Sequence, residues 1–124
     1  MYSVKIRKSI MIAHSLPNPF FGPAQNLHGA TYVVDVTFKS EKLDEHNVVI
    51  DIGKAHDVVG EVLAPLKYQN LDEMEIFKNK LTTTEFIARY IHDQTKEKLQ
   101  GIFDGNIAVM LGETHDAWGG YEGS

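Results

Sequence analysis

Apolar and polar positions alternate in two runs near the start of the chain, and a proline-rich stretch separates them. Alternation with a period of two is typical of a strand that buries one face. The first run covers residues 2–15 and the second covers residues 27–39. Residues 16–26 hold three prolines and a glycine, which predicts an irregular loop. Phe20 and Phe21 give this loop apolar surface to bury.

The middle of the chain changes from alternation to helical spacing. Residues 48–52, VVIDI, form a short apolar run that predicts a third strand. Apolar residues then recur at intervals of three and four in residues 55–66 and again in residues 86–99, which predicts two amphipathic helices. Thr82 and Glu85 have the spacing of a capping box at the start of the second helix.

The last part of the chain returns to alternation. Ile107, Val109 and Leu111 alternate with smaller residues, and Glu113 and His115 continue the same odd-numbered face. The tail after them predicts a short strand or an extended arm. Strands followed by helices are typical of an α+β domain. We therefore predict one domain over residues 1–124, with a four-stranded antiparallel sheet, two helices on one face, and open sheet edges that favour oligomerisation.

Composition narrows the classes of function. The 124 residues are 43% hydrophobic, which is enough for one packed core, and the net charge of −5 argues against a nucleic-acid partner. The absence of cysteine excludes disulfides, thiolate zinc sites and cysteine nucleophiles. No apolar run approaches the roughly 20 residues of a membrane helix, and the N-terminus lacks a signal-peptide core. These features predict a soluble, cytoplasmic protein.

Two histidines are the main chemical feature of the predicted strands. His14 and His28 are each in register with the apolar face of their own strand or its extension. Two imidazoles that enter one sheet face from paired strands can share a metal ion, but catalytic zinc usually has three protein ligands. A third ligand would come from His115, from a glutamate or from a neighbouring subunit. The alternative is two histidines whose hydrogen bonds are satisfied at strand ends.

Several segments resemble, in chain order, the 6-pyruvoyltetrahydropterin synthases and the bacterial 6-carboxytetrahydropterin synthases of the queuosine pathway. The segments cover most of the chain and read MIAHSL, LHGATYVVDV, VVIDIGKA, LKYQNLD, TTTEFIARYI and GETHDAW. The resemblance implies a tunnelling fold, in which subunits join their sheets around a central channel, as trimers that pair into hexamers. It also implies a single pterin-synthase-like domain.

The resemblance implies a zinc site of three histidines, and His14 and His28 match two of them. The third falls on Ala30, which cannot bind a metal. The family's catalytic cysteine falls on Ala24. Its Asp-His pair falls on LKYQNL, where residues 67–68 are lysine and tyrosine. Three functional elements of the family are therefore altered together.

Other elements that the resemblance implies are retained. The family holds the amino-pyrimidine edge of the pterin with a carboxylate that matches Glu113, within MLGET. A carboxylate accepts two parallel N–H bonds from such an edge. Thr83, Thr84 and Glu85 match a family segment that contributes to the same pocket. The resemblance thus implies that the ring pocket is kept, and His115, or a residue outside the family pattern, would move protons.

Two hypotheses from different classes follow from this pattern. The first is a divergent pterin synthase-like lyase, in which zinc assists a reaction on a reduced pterin or a related heterocycle. The second is a catalytically degenerate tunnelling-fold protein that binds a pterin or purine-like ring or serves a structural role. The retained Glu113 and histidine pair favour the first, and the altered catalytic positions favour the second.

Overall fold

The computed structural model describes all 124 residues, Met1–Ser124. One antiparallel sheet has the strand order β1-β2-β3-β4, and its strands are β1 (Tyr2–His14), β2 (His28–Ser40), β3 (Asn106–Thr114) and β4 (Ala117–Gly123). Two α-helices come between β2 and β3 in the chain, α1 (Ile52–Leu63) and α2 (Thr84–Lys98). The predicted α+β architecture is confirmed. Neither helix has the length and apolar character needed to cross a membrane.

Both helices pack on the same face of the sheet, as predicted, and the core lies between the two layers. The sheet contributes its even positions on β1 and β2 and its odd positions on β3, among them Ile6, Ile10, Val34, Val36, Val109 and Leu111. The apolar stripes of α1 and α2 meet this face with residues that include Val59, Val62, Ile87 and Ile91. The opposite face carries an ion pair in which Arg7 donates to Asp35 at 2.6 and 2.9 Å.

The N-termini of the two helices are capped by side chains, although not by the predicted pair at α2. Asp51 accepts a hydrogen bond from the Lys54 amide at 2.8 Å at the start of α1. Thr83, not Thr82, caps α2 and accepts from the Phe86 amide at 3.2 Å. The predicted capping box is therefore wrong by one residue, because the Thr82 side chain is buried and contacts β1 instead.

The predicted third strand, residues 48–52, is absent. The Asp44 carboxylate accepts hydrogen bonds from the amides of His46 and Val48, which folds this segment into a turn. Residues 48–50 then run directly into the cap of α1, so they pair with no strand. The tail takes the fourth place in the sheet as β4, which pairs antiparallel with β3.

The loop between β1 and β2 is more regular than predicted. Pro19–Gln25 forms 3-10 turns that are interrupted at Gly22, whose φ of 55° suits glycine. The side chain of Asn18 caps these turns by accepting from the Phe20 amide at 2.9 Å. Phe20 itself is 86% exposed, so the expected burial of this side chain is wrong.

The two outer edges of the sheet are only partly covered. The outer edge of β1 pairs with a short connecting segment near its end, where Asn70 bridges Ala13 and the Tyr68 amide donates to the Met11 carbonyl. The rest of β1 and the whole outer edge of β4 have no partner strand. Unpaired edges of this kind are sites at which further strands can add.

Candidate functional site

The antiparallel register of β1 and β2 places His14 directly opposite His28. The two ring centroids are 4.7 Å apart, with an angle of 66° between the ring planes. His14 is 2% exposed and His28 is partly exposed. The predicted meeting of both imidazoles on the helix-covered face of paired strands is therefore confirmed. The pair lies where β1 ends and β2 begins, at the mouth of the proline-rich loop.

Each of the two imidazole rings makes a hydrogen bond through its Nδ1 atom. His14 Nδ1 lies 2.9 Å from Thr82 Oγ1, and His28 Nδ1 lies 2.8 Å from the Asn26 carbonyl oxygen. A carbonyl only accepts, so His28 Nδ1 donates and the Nε2 of the neutral ring carries a lone pair. His14 Nε2 is buried and has no hydrogen-bond partner in the protein. An orphaned buried nitrogen beside a second free nitrogen fits a metal ion or a ligand donor.

The surroundings of His14 favour the neutral form of its ring. Burial lowers the pKa of His14, and the neighbouring His28 lowers it further. The charge of Asp72, a contact with the backbone of Thr82 and the charge of Glu113 oppose these effects and raise the pKa, each by less. Asp72 is itself held in place, since it accepts from the Ser15 hydroxyl at 2.6 Å. Neutral imidazole is the form that binds metal ions.

Tyr32 is a third polar group on the same face, and no role is predicted for it from the sequence. It is 0% exposed, its hydroxyl has no partner in the protein, and its ring centroid lies 6.3 Å from that of His14. Burial, and then the charge of Glu113, raise the pKa of this phenol. The only sequence signal was its place in the alternation His28, Ala30, Tyr32. Ala30, between them, has no donor atom in its side chain.

A small cavity of about 210 Å³ brings together three of the sequence-predicted pocket residues. Thr84, Glu85 and Glu113 line it, along with Trp118 and Gly119. Thr84 donates to Glu85 at 2.7 Å, and this bond is the main reason that the pKa of Glu85 is lowered. A β-carbon at residue 119 would collide with the Thr84 hydroxyl, so glycine there keeps the two sides of the cavity together.

The end of β3 departs from the predicted alternation. Gly112 pairs with Trp118 but Thr114 pairs with Ala117, so Glu113 is an extra residue in a β-bulge. The bulge leaves Glu113 exposed at the cavity, although its charge still acts on the pKa values of the buried groups above. The expectation that it continues the buried face is therefore wrong.

His115 lies beyond the bulge, in the two-residue turn before β4. It is exposed, and its carbonyl accepts from the Trp118 indole at 3.2 Å. The predicted continuation of the strand face to His115 is wrong because β3 ends at Thr114. Thr83 is predicted to bind substrate, but its hydroxyl accepts the capping hydrogen bond at the start of α2. The next residue, Thr84, is the one that lines the cavity.

The positions at which the family's other catalytic groups would fall hold no acid–base pair. Ala24 is a partly buried alanine within the 3-10 turns of the loop. Lys67 and Tyr68 are exposed, and the lysine Nζ lies 5.8 Å from the tyrosine ring centroid. The tyrosine is 72% exposed, which is typical of packing at the surface.

A separate group of ligand-type side chains lies in the turn after β2. Ligand atoms of Asp44, Glu45 and His46 all lie within 4.8 Å of one another. All three residues are exposed and consecutive, and the Asp44 carboxylate already accepts from two backbone amides of the turn. The arrangement is that of an Asx turn, distinct from the buried histidine pair.

Comparison of the sequence with known proteins finds tetrahydropterin synthases and a tetrahydrobiopterin synthase. The sequence profile of the 6-pyruvoyl tetrahydropterin synthase family matches residues 3–124. The 6-carboxy-5,6,7,8-tetrahydropterin synthase of Bacillus subtilis is 28% identical over 113 residues, which are 89% of this chain and 77% of that protein. The 6-pyruvoyl tetrahydrobiopterin synthase of Drosophila melanogaster is 28% identical over 107 residues, which are 76% of this chain and 64% of that protein.

Comparison with solved structures agrees. The Caenorhabditis elegans 6-pyruvoyl tetrahydropterin synthase superposes with a TM-score of 0.84 at 25% identity, covering 99% of this chain and 96% of that one. The Plasmodium falciparum enzyme of the same name has a TM-score of 0.81 at 17% identity, covering 98% and 97%. The fold prediction is thereby confirmed as that of the tunnelling-fold synthases. The chain belongs to the 6-pyruvoyl tetrahydropterin synthase family.

Proposed function

We propose that this protein is a divergent pterin synthase-like lyase that acts on a reduced pterin or a related heterocycle with the help of a metal ion. The observation that carries the proposal is the cross-strand pair of His14 and His28, with His14 Nε2 buried and unpartnered. Family membership supplies the class of reaction, and the relatives named above are synthases of reduced pterins.

The ring of the substrate is assigned to the cavity beside the β3–β4 turn. The Thr84 hydroxyl already donates a hydrogen bond to the Glu85 carboxylate, whereas no protein group donates a hydrogen bond to the Glu113 carboxylate. It is therefore free to accept two parallel N–H bonds from an amino-pyrimidine edge. Thr84 lines the same cavity, and Thr83 precedes it at the helix start. These three residues are the proposed substrate-binding set.

The metal ion is assigned to the histidine pair, and zinc is the ion that the donor set suits best. His14 and His28 would hold it through their Nε2 atoms. Bound there, zinc would polarise side-chain oxygens of the substrate and lower the pKa of their protons. The third ligand cannot come from Ala30, so His115 or a residue of a neighbouring subunit is proposed. Where a neighbouring subunit supplies the third ligand, His115 is instead the proposed proton carrier, since its ring is exposed on the turn two residues after Glu113.

A degenerate binding protein is the second candidate, and one observation favours it. Ala24 and the exposed Lys67–Tyr68 stack offer neither a thiol nor an Asp-His pair. General acid–base groups typically contribute about 10²–10⁴-fold each to a rate. The usual family conversion of dihydroneopterin triphosphate should therefore be very slow or absent, even where the ring still binds.

Self-association is part of the proposal. The open edges of β1 and β4 suit the joining of sheets between subunits into a trimer or a hexamer. The proposed partners are thus a small pterin-like molecule and further copies of the chain, with no nucleic acid and no membrane.

One experiment separates the two candidates. Purified protein is incubated with reduced pterins, with and without zinc, and the products are followed by mass spectrometry while calorimetry measures binding. Zinc-dependent turnover that is lost in His14→Ala supports the lyase. Binding of a reduced pterin without turnover, both with and without zinc, supports the degenerate binding protein. An absence of both binding and turnover would contradict the whole assignment.

A further inference from the structure

A buried hydroxyl from the segment before α2 contacts the ring of His14. Thr82 is 1% exposed, and its Oγ1 lies 2.9 Å from His14 Nδ1, across 68 residues of sequence. The next residue, Thr83, caps the helix, so the Thr82 hydroxyl is not needed for that task. His14 is its one side-chain partner. The contact therefore serves the histidine and not the helix.

The direction of this hydrogen bond decides which His14 nitrogen is free. If Thr82 donated to Nδ1, the ring proton would lie on Nε2, a buried atom that has no acceptor. A buried N–H without an acceptor is rare and unfavourable. If His14 donates to Thr82, Nε2 carries a lone pair, the form needed by a metal ion. The unpaired proton is then that of the Thr82 hydroxyl, which can rotate, whereas a ring N–H at Nε2 has a fixed direction. His28 has this second arrangement, because its Nδ1 faces the Asn26 carbonyl.

We propose that Thr82 is a positioning residue that accepts the Nδ1 proton of His14 and thereby holds Nε2 unprotonated, in the same tautomer as His28. The two opposed rings then present matching lone pairs from neighbouring strands. The use of Nε2 for a metal rests on the proposed function. The tautomer itself is a property of the metal-free protein, and it is tested without any ligand.

The first test is long-range ¹⁵N–¹H NMR of metal-free protein at about pH 8, above the ordinary histidine pKa of about 6.5. In the wild type, His14 Nε2 should have the shift of an unprotonated nitrogen. Thr82→Val, of nearly the same shape, should move the proton in part to Nε2, and Thr82→Ser should restore the wild-type shifts. Thr95→Val is the matched control, since Thr95 is a buried threonine of α2 whose hydroxyl has no partner. It should leave the His14 signals unchanged.

The second test measures zinc affinity by competition with a chromogenic chelator. Removing a partner that orients a metal ligand typically weakens metal binding by about 10–100-fold. Thr82→Val should show a loss of that size, while Thr82→Ser and Thr95→Val should bind as the wild type does. If Thr82→Val does not fold, the wild-type spectrum and the serine variant still decide the tautomer.

The outcomes separate this inference from the proposed function. A wild-type His14 that carries its proton on Nε2 would overturn the role of Thr82, and so would Thr82→Val with unchanged shifts. Zinc binding that is tight but insensitive to Thr82→Val would also overturn it, while leaving the proposed function in place. The expected tautomer shifts in a protein that binds no zinc would support the role of Thr82 and count against the metal-assisted lyase.

Discussion

Replacing Ala30 with histidine should create or strengthen a zinc site. Residue 30 lies two positions from His28 on β2, about 7 Å along the strand and on the same face. It is diagonal to His14 across the strand pair, about 7–8 Å between Cα atoms, within reach of a ring side chain. With the existing rings 4.7 Å apart, a third imidazole at residue 30 would complete a triangle. Three histidines are a usual ligand set for catalytic zinc.

The magnitude follows from two opposing effects. Ala30 is partly buried against the core, so a larger side chain should destabilise the metal-free protein by about 1–3 kcal/mol. Zinc at 100 times its dissociation constant should raise the free energy of unfolding by about 2.7 kcal/mol. We expect Ala30→His to bind zinc at least about tenfold more tightly than the wild type, which corresponds to about 1.4 kcal/mol.

The assay is competition with a chromogenic chelator, together with thermal unfolding with and without zinc. Ala30→Phe is the matched control, because it adds a ring of similar size without a nitrogen. It should lose stability as Ala30→His does, but it should gain nothing from zinc beyond the wild type. A folded Ala30→His variant with equal or weaker zinc affinity would show that His14 and His28 do not converge on a common point.

Three further predictions concern the ring pocket, the open face of the sheet and the assembly. Glu113→Ala should remove most affinity for a reduced pterin in calorimetry, because bonds to a charged group contribute about 1.5–3 kcal/mol each; unchanged affinity would contradict the pocket. The hydrogen bond from Arg7 lowers the pKa of Asp35, so this carboxylate stabilises the fold above its ordinary pKa of about 3.9 and loses that effect as the pH falls. Asp35→Asn should accordingly be less stable at pH 7, and its stability should fall less steeply than that of the wild type below about pH 4 in denaturant titrations; parallel curves would refute this. Light scattering should give a multiple of three chains, most simply six, and a stable monomer at micromolar concentration would disprove it.

The shared face of His14 and His28 could be predicted from the sequence because both strands alternate without interruption, whereas their direct pairing across the strands is seen only in the structure. A period of two fixes the face of every residue once one apolar position is placed. The same rule failed at Glu113 and His115, since a β-bulge adds one residue and ends the alternation. Nothing in the letters GET marks that extra residue. The structure alone shows that Glu113 leaves the buried face and turns toward the cavity.

The contact between Thr82 and His14 could not be predicted for a different reason. Capping is a local property, so three consecutive threonines before a helix offer three equally good caps on sequence grounds. Which of them caps depends on the path of the chain into α2, and that path is set by packing. Thr83 takes the cap, which leaves Thr82 facing β1. A hydrogen bond across 68 residues has no signature in spacing or composition.

The buried face of the sheet combines an ordinary core with groups that a core seldom leaves unpaired. His14 Nε2 and the Tyr32 hydroxyl are both buried without a partner in the protein. Each such group typically costs about 1–3 kcal/mol, and whole domains are stable by only about 5–15 kcal/mol. Leucine or phenylalanine at either position would fill similar space without that cost. Both unpaired atoms also lie within the electrostatic influence of Glu113, at the one place where the strand pattern breaks. Two other buried atoms without a partner, Thr95 Oγ1 and Asn106 Oδ1, lie on α2 and at the start of β3. The two that feel the charge of Glu113 are those that support the proposal of a ligand site at the end of β1.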